Sequence, residues 1–263
     1  MSKRIFITGG AQGLGFALAQ YYSNRGDQVC IADIDIAAAE QAVTQLNASA
    51  IALQCDVTKA AQLDQAAATL TAQWGGVDVV INNAGVAQVG AIEDVSEDDW
   101  HWIIDINLMG VVRGCRAFTP VFKAQGHGQF INVASMAGLL DVPRMSAYNS
   151  TKAAVVSLSE TLQHELHPDG IKVSVVCPSF FRTNLGTSMR TTVPGMHKTL
   201  DKLMSKSELS ATDVAQFVVK EAERGTFYIL PHKKARGIWR LKRWLPRSRY
   251  AAMMAKQTRG LRK

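Results

Sequence analysis

Arg4-Ile5-Phe6-Ile7-Thr8-Gly9-Gly10-Ala11-Gln12-Gly13-Leu14-Gly15 opens the chain and decides how the rest is read. Residues 4–8 form a short, nearly continuous apolar run, the pattern of a strand buried on both faces. Glycines 9, 13 and 15 then remove Cβ atoms from the turn, so the backbone can bend sharply, approach a pyrophosphate and pack the next helix closely. A helix expected over 13–25 would offer its free N–H groups to phosphate oxygens, with Gly9, Gln12, Gly13, Leu14 and Gly15 as the candidate contacts. A Gly-rich turn by itself also fits a plain β–α connection. Here it lies between an expected strand and an expected helix at the start of the chain, which favours the dinucleotide reading.

The same alternation continues outward. Strands are predicted at 4–8, 28–32, 50–54, 77–82, 129–134, 171–177 and 226–230, and helices at 13–25, 36–46, 60–74, 97–123, 150–166 and 212–224. Ser96-Glu97-Asp98-Asp99 reads as a helix N-cap with acids in the first turn. The implied fold class is α/β: a single Rossmann-type, doubly wound domain with a seven-stranded, mostly parallel sheet and helices on both faces. Ligands of such sheets bind at the carboxyl ends of the strands. Residues 183–209 break the alternation and suit a mobile segment over a site.

Asp33 ends the second expected strand, 18 residues beyond Gly15. A carboxylate there can accept hydrogen bonds from an adenosine ribose and would repel a 2′-phosphate. No Arg or Lys lies between Gly9 and Gly15 or directly after Asp33, so NAD is expected rather than NADP. Asp33 or Asp35 also fits as the cap of the helix near Ile36, and the two roles are compatible if Asp35 is the cap.

Composition bounds the remainder. The 263 residues are 47% hydrophobic and 19% charged, ordinary for a globular chain. No apolar run is long enough to span a bilayer, and the apolar start is too short for a signal peptide, so a cytoplasmic location is expected. Cys30, Cys55, Cys115 and Cys177 are scattered without C-x-x-C spacing and read as small buried residues. The six histidines show no metal spacing, so no metal is expected. The net charge of +7 hides an asymmetry: residues 232–263 hold 12 of the 29 Lys and Arg and no acid, leaving 17 against 22 acids, or −5, for residues 1–231.

With these motifs in place the chain resembles the classical short-chain dehydrogenases/reductases. Thr8-Gly9…Gly13-Leu14-Gly15 is similar to that family's T-G-x-x-x-G-x-G. Cys55-Asp56-Val57 ends the third strand, where the resemblance implies that Asp56 and Val57 meet the adenine. Asn82-Asn83-Ala84-Gly85 resembles N-N-A-G, Asn107 lies in the long helix, Ser135 ends the fifth strand, and Tyr148-Asn149-Ser150-Thr151-Lys152 fits Y-x-x-x-K. The likeness covers roughly residues 3–231. It implies cofactor contacts at Asn83, Ala84, Gly85, Tyr148, Lys152, Pro178 and Thr183, with Ser179 replacing the family's usual glycine. It also implies a homodimer or homotetramer built on helices 97–123 and 150–166.

The spacing carries chemistry of its own. Tyr148 and Lys152 are i and i+4 and share one helix face. An ammonium there is expected to lower the phenol's pKa and make it an acid/base near neutral pH. Ser135 would hold the substrate oxygen, and the resemblance implies that Asn107 helps hold a water near Lys152. Together Asn107, Ser135, Tyr148 and Lys152 are the expected catalytic set, for hydride transfer between nicotinamide and an alcohol/carbonyl substrate. A catalytically idle NAD-binding scaffold is the rival reading.

Leu185, Met189, Met196, Leu200, Leu203 and Met204, with Leu139, Leu140 and Phe180, suggest an apolar pocket for a steroid, retinoid, fatty alcohol or bulky ketone. Trp100 and Trp102 read as packing residues of the long helix. The tail 232–263 is an extension beyond a catalytic domain of residues 1–231. Its Ile238, Leu241, Trp244 and Leu245 share one helical side, with Arg240 and Arg243 opposite and Trp239 off the stripe. Pro246 should stop the helix. The pattern fits an interfacial helix on an anionic membrane, and equally a segment packed on the acidic body or a partner subunit. No nucleic-acid module is present, so no nucleic acid is expected.

Overall fold

In strand β1 (Arg4–Thr8) Ile5 and Ile7 turn to one face and Phe6 to the other, and all three are fully buried. That two-sided burial requires helices on both faces, and they are present. The computed structural model describes residues 2–258; Met1 and residues 259–263, the last five of the basic tail, lie outside the described residues. After β1 come β2 (Gln28–Asp33), β3 (Ile51–Gln54), β4 (Val79–Asn82), β5 (Gly128–Val133), β6 (Ile171–Val176) and β7 (Tyr228–Ile229). The order is β3-β2-β1-β4-β5-β6-β7 and every neighbouring pair is parallel, so the sheet is wholly rather than mostly parallel. One face carries α1 (Gly13–Ser23), α2 (Ile36–Val43) and α8 (Ala211–Glu223); the other carries α3 (Ala60–Trp74), α5 (Gly110–Gln125) and α6 (Ser146–Leu166). The strand order reverses direction between β1 and β4, which places the ligand crevice of such a sheet at their carboxyl ends.

Several boundaries differ from the sequence reading. The expected helix 97–123 is α4 (Glu97–Ile104), a π-turn at Asp105–Met109, and α5. Its start is as expected, with the Ser96 hydroxyl accepting from Asp99 N at 3.1 Å. The helix expected from 150 begins at Ser146, so Tyr148 stands in its first turn. β4 begins at Val79 rather than 77, because Asp78 is engaged by Arg4 and Val77 by the Gln125 side chain. Residues 183–209 are not irregular throughout. Arg190–Thr191 pairs in parallel with Gln88–Val89, and α7 (Met196–Ser205) follows.

The tail forms α9 (Lys233–Trp244) and α10 (Arg247–Gln257), separated at Pro246 as expected. Its apolar stripe divides. Ile238 packs against the core together with Trp239, the residue read as off the stripe, whose ring lies 5.1 Å from that of Tyr228. Leu241 and Trp244 face outward, Trp244 at 87% exposure.

Candidate active site

A cavity of about 900 Å³ opens at the carboxyl ends of the strands and runs from the Gly-rich turn to α7. At one end the turn is built as a cradle. Gly9 (φ +61°) and Gly13 (φ +56°) sit in the left-handed region, and a Cβ on Gly9 would lie 2.8 Å from the Ala84 Cα. The turn is tied to the neighbouring strand end: the Thr8 hydroxyl accepts from the N–H groups of Asn83 and Ala84, and Asn83 Nδ2 donates to the carbonyls of Thr8 and Gly9 at 3.1 and 2.9 Å. Gln12, Gly13 and Leu14 line the cavity at the start of α1. Gly15 does not; a Cβ there would stand 2.2 Å from the Gly9 carbonyl oxygen, so this glycine serves helix packing behind the wall.

Asp33 reaches the cavity from the end of β2, with its carboxylate accepting from the N–H of Ala11 at 3.1 Å and of Asp35 at 3.2 Å. Asp35, not Asp33, caps α2 by accepting from Ala38 N at 3.0 Å. Asp56 and Val57 line the wall after β3, and one Asp56 oxygen is spent on the N–H and hydroxyl of Thr58. Asn83, Ala84 and Gly85 line it after β4, and Pro178 and Thr183 after β6. Arg144 is the lone described non-glycine residue with positive φ, so Ser179 takes the glycine's place without that strain.

Ser135, Tyr148 and Lys152 also line the cavity. Ser135 and the Tyr148 phenol share a hydrogen bond, and the Ser135 hydroxyl also accepts from Ala137 N at 3.1 Å. Lys152 Nζ donates to the Val133 carbonyl at 3.0 Å and lies 5.9 Å from the Tyr148 ring centre. Burial brings the Lys152 ammonium down to about 8, partly opposed by the nearby Cys177. The same burial raises the Tyr148 phenol, with the Ser135 bond pulling the other way. Desolvation thus outweighs the Ser135 bond and leaves the phenol above rather than below its ordinary value, while the Lys152 ammonium is bonded to the Val133 carbonyl.

Asn107 does not reach the cavity wall. Fully buried in the π-turn, its side chain accepts from Val86 N at 2.8 Å and donates to Val86 O at 2.9 Å and to the Thr151 hydroxyl at 3.3 Å. A Cβ on Gly85 would lie 3.1 Å from Asn107 Oδ1 and 3.3 Å from Lys152 Nζ, so both side chains converge behind that glycine. The Asn107 amide thus holds the Val86 backbone from behind the cavity wall.

The remaining wall is mostly apolar. Leu140, Phe180, Leu185, Met189, Met196, Leu200, Leu203 and Met204 line it, whereas Leu139 packs into the core. Three participants escaped the sequence reading. Thr151 bridges Asn107 to the Tyr148 carbonyl, a role visible only as its i+3 position on the Tyr148 helix. Trp102 is a wall residue and carries the Arg190 guanidinium 4.0 Å over its ring; Arg190 also pairs with Asp99 at 2.8 Å. Gln257, from α10, lines the cavity too, and nothing in its local sequence signals this.

A parallel doubly wound sheet with a glycine cradle at its switch point defines a Rossmann-type, dinucleotide-binding class of protein. The chain belongs to the short-chain dehydrogenase/reductase family: the short chain dehydrogenase family model matches residues 3–194. It is 33% identical over 251 residues to a CLA biosynthesis dehydrogenase/reductase of Lactiplantibacillus plantarum, covering 88% of each chain. It is 34% identical over 183 residues, 70% of each chain, to a 3-alpha-(or 20-beta)-hydroxysteroid dehydrogenase of Mycobacterium tuberculosis. Among solved structures, a short-chain dehydrogenase/reductase from Burkholderia phymatum in complex with NAD superposes with TM-score 0.87 at 33% identity, covering 92% of this chain and 93% of that one. One from Streptomyces avermitilis reaches 0.84 at 28% identity, covering 100% and 98%.

Proposed function

We propose that this protein is an NAD-preferring oxidoreductase that interconverts an apolar secondary alcohol and its ketone. The observation that carries the reading is the placement of Ser135, Tyr148 and Lys152 on one wall of a cavity whose far end is a glycine cradle beside Asp33. The cradle fits a dinucleotide, because its backbone at Gly9 and Gly13 takes a left-handed φ that side chains would strain, and a Cβ on Gly9 would press on Ala84. Gly9, Gln12, Gly13 and Leu14 would hold its pyrophosphate, Asp33 its adenosine ribose, Asp56 and Val57 its adenine, and Asn83, Ala84, Gly85, Pro178 and Thr183 the nicotinamide half. When bound, the nicotinamide supplies the hydride acceptor or donor.

The protein's own residues manage the proton and the oxygen. Ser135 holds the reacting oxygen by a hydrogen bond; Tyr148 as its phenolate takes the hydroxyl proton in oxidation, and as the phenol it returns that proton in reduction. Lys152 places positive charge on the same wall and would touch the nicotinamide ribose. Asn107, through Val86 and Thr151, positions the Lys152 and Tyr148 neighbourhood. The apolar wall selects a steroid, retinoid, fatty alcohol or bulky ketone, with 183–209 as its lid over a catalytic domain of 1–231. One relative, a hydroxysteroid dehydrogenase, supports the steroid member of that class.

The test is Tyr148→Phe. Cofactor affinity should stay within about twofold while kcat falls by at least about 10²-fold, the scale of lost acid/base work. Full turnover by the variant overturns the assignment. NAD binding without turnover of any secondary alcohol would leave a binding protein instead.

We propose with it a homodimer or homotetramer through the outer faces of α4–α5 and α6. A second reading concerns the tail. Leu241 and Trp244 stand outward, one turn apart, on a helix that also carries exposed Lys233, Arg240 and Arg243, and residues 224–263 contain no acid. An indole and a leucine among basic groups suit an anionic lipid surface by charge complementarity and interfacial burial. The chain would then be a cytoplasmic protein with peripheral membrane association. No described helix is long and apolar enough to cross a membrane.

A further inference from the structure

The C-terminal helices are attached to the body at both sides of the cavity. On one side, Lys242 Nζ donates to the Leu139 carbonyl at 2.8 Å and to Asp141 at 2.9 Å, and Arg247 pairs with the other Asp141 oxygen at 2.9 Å. The two cations hold the Asp141 carboxyl below its usual range, although burial opposes them. The same cations lie 5.5 and 5.8 Å from the ring of Tyr250, which is buried beneath them. On the other side, Ser179 N donates to His232 Nδ1 at 3.1 Å, where α9 begins.

One attachment point adjoins the cavity wall and the other belongs to it. Asp141 lies between Leu140 and Val142, which line the cavity, in the segment that joins Ser135 to Tyr148. Ser179 is itself a lining residue. Gln257, at the end of α10, lines the cavity as well, 26 residues beyond Pro231.

From this geometry we infer that the C-terminal helical pair completes the wall of the substrate chamber, that Gln257 is a specificity-determining residue, and that Asp141 with Lys242 and Arg247 is the latch that seats it. The inference rests on reading the cavity as an alcohol/ketone site. The Asp141 side chain is 49% exposed, so each ion pair is weak and screened by salt. A latch of that kind holds the wall in place yet can release, and it places an uncharged amide in a mostly apolar chamber.

Two variants test it, neither in the catalytic set. Asp141→Ala removes both ion pairs. The tail's Lys-X and Arg-X bonds should then be cut by trypsin about tenfold faster, with residues 1–231 remaining intact, since local opening controls cleavage. Added salt should speed cleavage of the wild-type tail and have little effect on the variant. Gln257→Trp adds bulk to the wall. Calorimetry should show about tenfold weaker binding of a bulky apolar ketone to the cofactor-loaded protein, with propan-2-one and NAD affinities within about twofold, because overpacking penalises the larger ligand. Unchanged tail cleavage in Asp141→Ala overturns the latch. Equal effects of Gln257→Trp on large and small ketones overturn its role in specificity. A protein that binds ketones but turns over no alcohol overturns the functional reading alone, since neither measurement needs turnover.

Discussion

Asp33 accepts two main-chain N–H bonds, from Ala11 in the Gly-rich turn and from Asp35 at the start of α2, and lines the cavity with no cation paired to it among the described residues. An ionised carboxylate at that point favours a ribose diol and disfavours a 2′-phosphate. Asp33→Ala should therefore narrow the preference for NAD over NADP, measured as the ratio of kcat/KM values, by about tenfold or more, the factor that 1.4 kcal/mol of relieved repulsion gives. A wild-type preference for NADP would contradict the assignment. At the same scale, Tyr148 and Lys152 show that an i,i+4 spacing places two groups on one face but does not decide their protonation. Burial is the largest influence on each, raising the phenol and lowering the ammonium.

At the scale of elements, the long helix over β4 is interrupted for a reason. Gly114 allows α5 to lie so close that a Cβ would meet Asn82 Oδ1 at 2.1 Å, and the π-turn before it swings Asn107 inward to the Val86 turn. The Asn107 amide satisfies both polar groups of the Val86 backbone at once. Asn107→Ala leaves that N–H and C=O without their partners and should cost about 2–4 kcal/mol in urea unfolding, the range for two orphaned polar groups partly recovered by water. A loss below about 0.5 kcal/mol would show that the amide does not support the turn.

For the whole molecule, the charge division assigns surfaces. The acidic body receives part of the basic tail at Asp141 and Glu208, and Lys234 meets the latter at 3.1 Å. What remains outward on α9 is Leu241 and Trp244 among unburied cations. Each Lys or Arg near an anionic bilayer contributes about 1 kcal/mol, so a few suffice for reversible binding. The protein should co-sediment with vesicles containing phosphatidylserine, less so in raised salt, and much less as Leu241→Ser/Trp244→Ser, while neutral vesicles retain little. Equal sedimentation of the variant and wild type would refute a lipid-facing α9, and capture by duplex DNA with no vesicle binding would make the surface a polyanion site.

Periodicity and glycine placement made most of the fold readable from the chain itself. Strands buried on two faces are continuous apolar runs, and a tight strand-to-helix turn that holds a phosphate is marked by glycines such as 9, 13 and 15. The order of Asn107, Ser135, Tyr148 and Lys152 was likewise legible, because they follow strand ends and helix faces. Tertiary structure decided what depends on contacts between segments distant in sequence. It placed Asn107 and Gly15 behind the cavity wall, since close packing rather than residue type determines which side of a wall an atom occupies. It raised the Tyr148 phenol, since burial is a property of the assembled fold. It also divided the tail's apolar stripe between core and solvent and brought Gln257 to the cavity, because an amphipathic pattern records that a face will be covered but not what covers it.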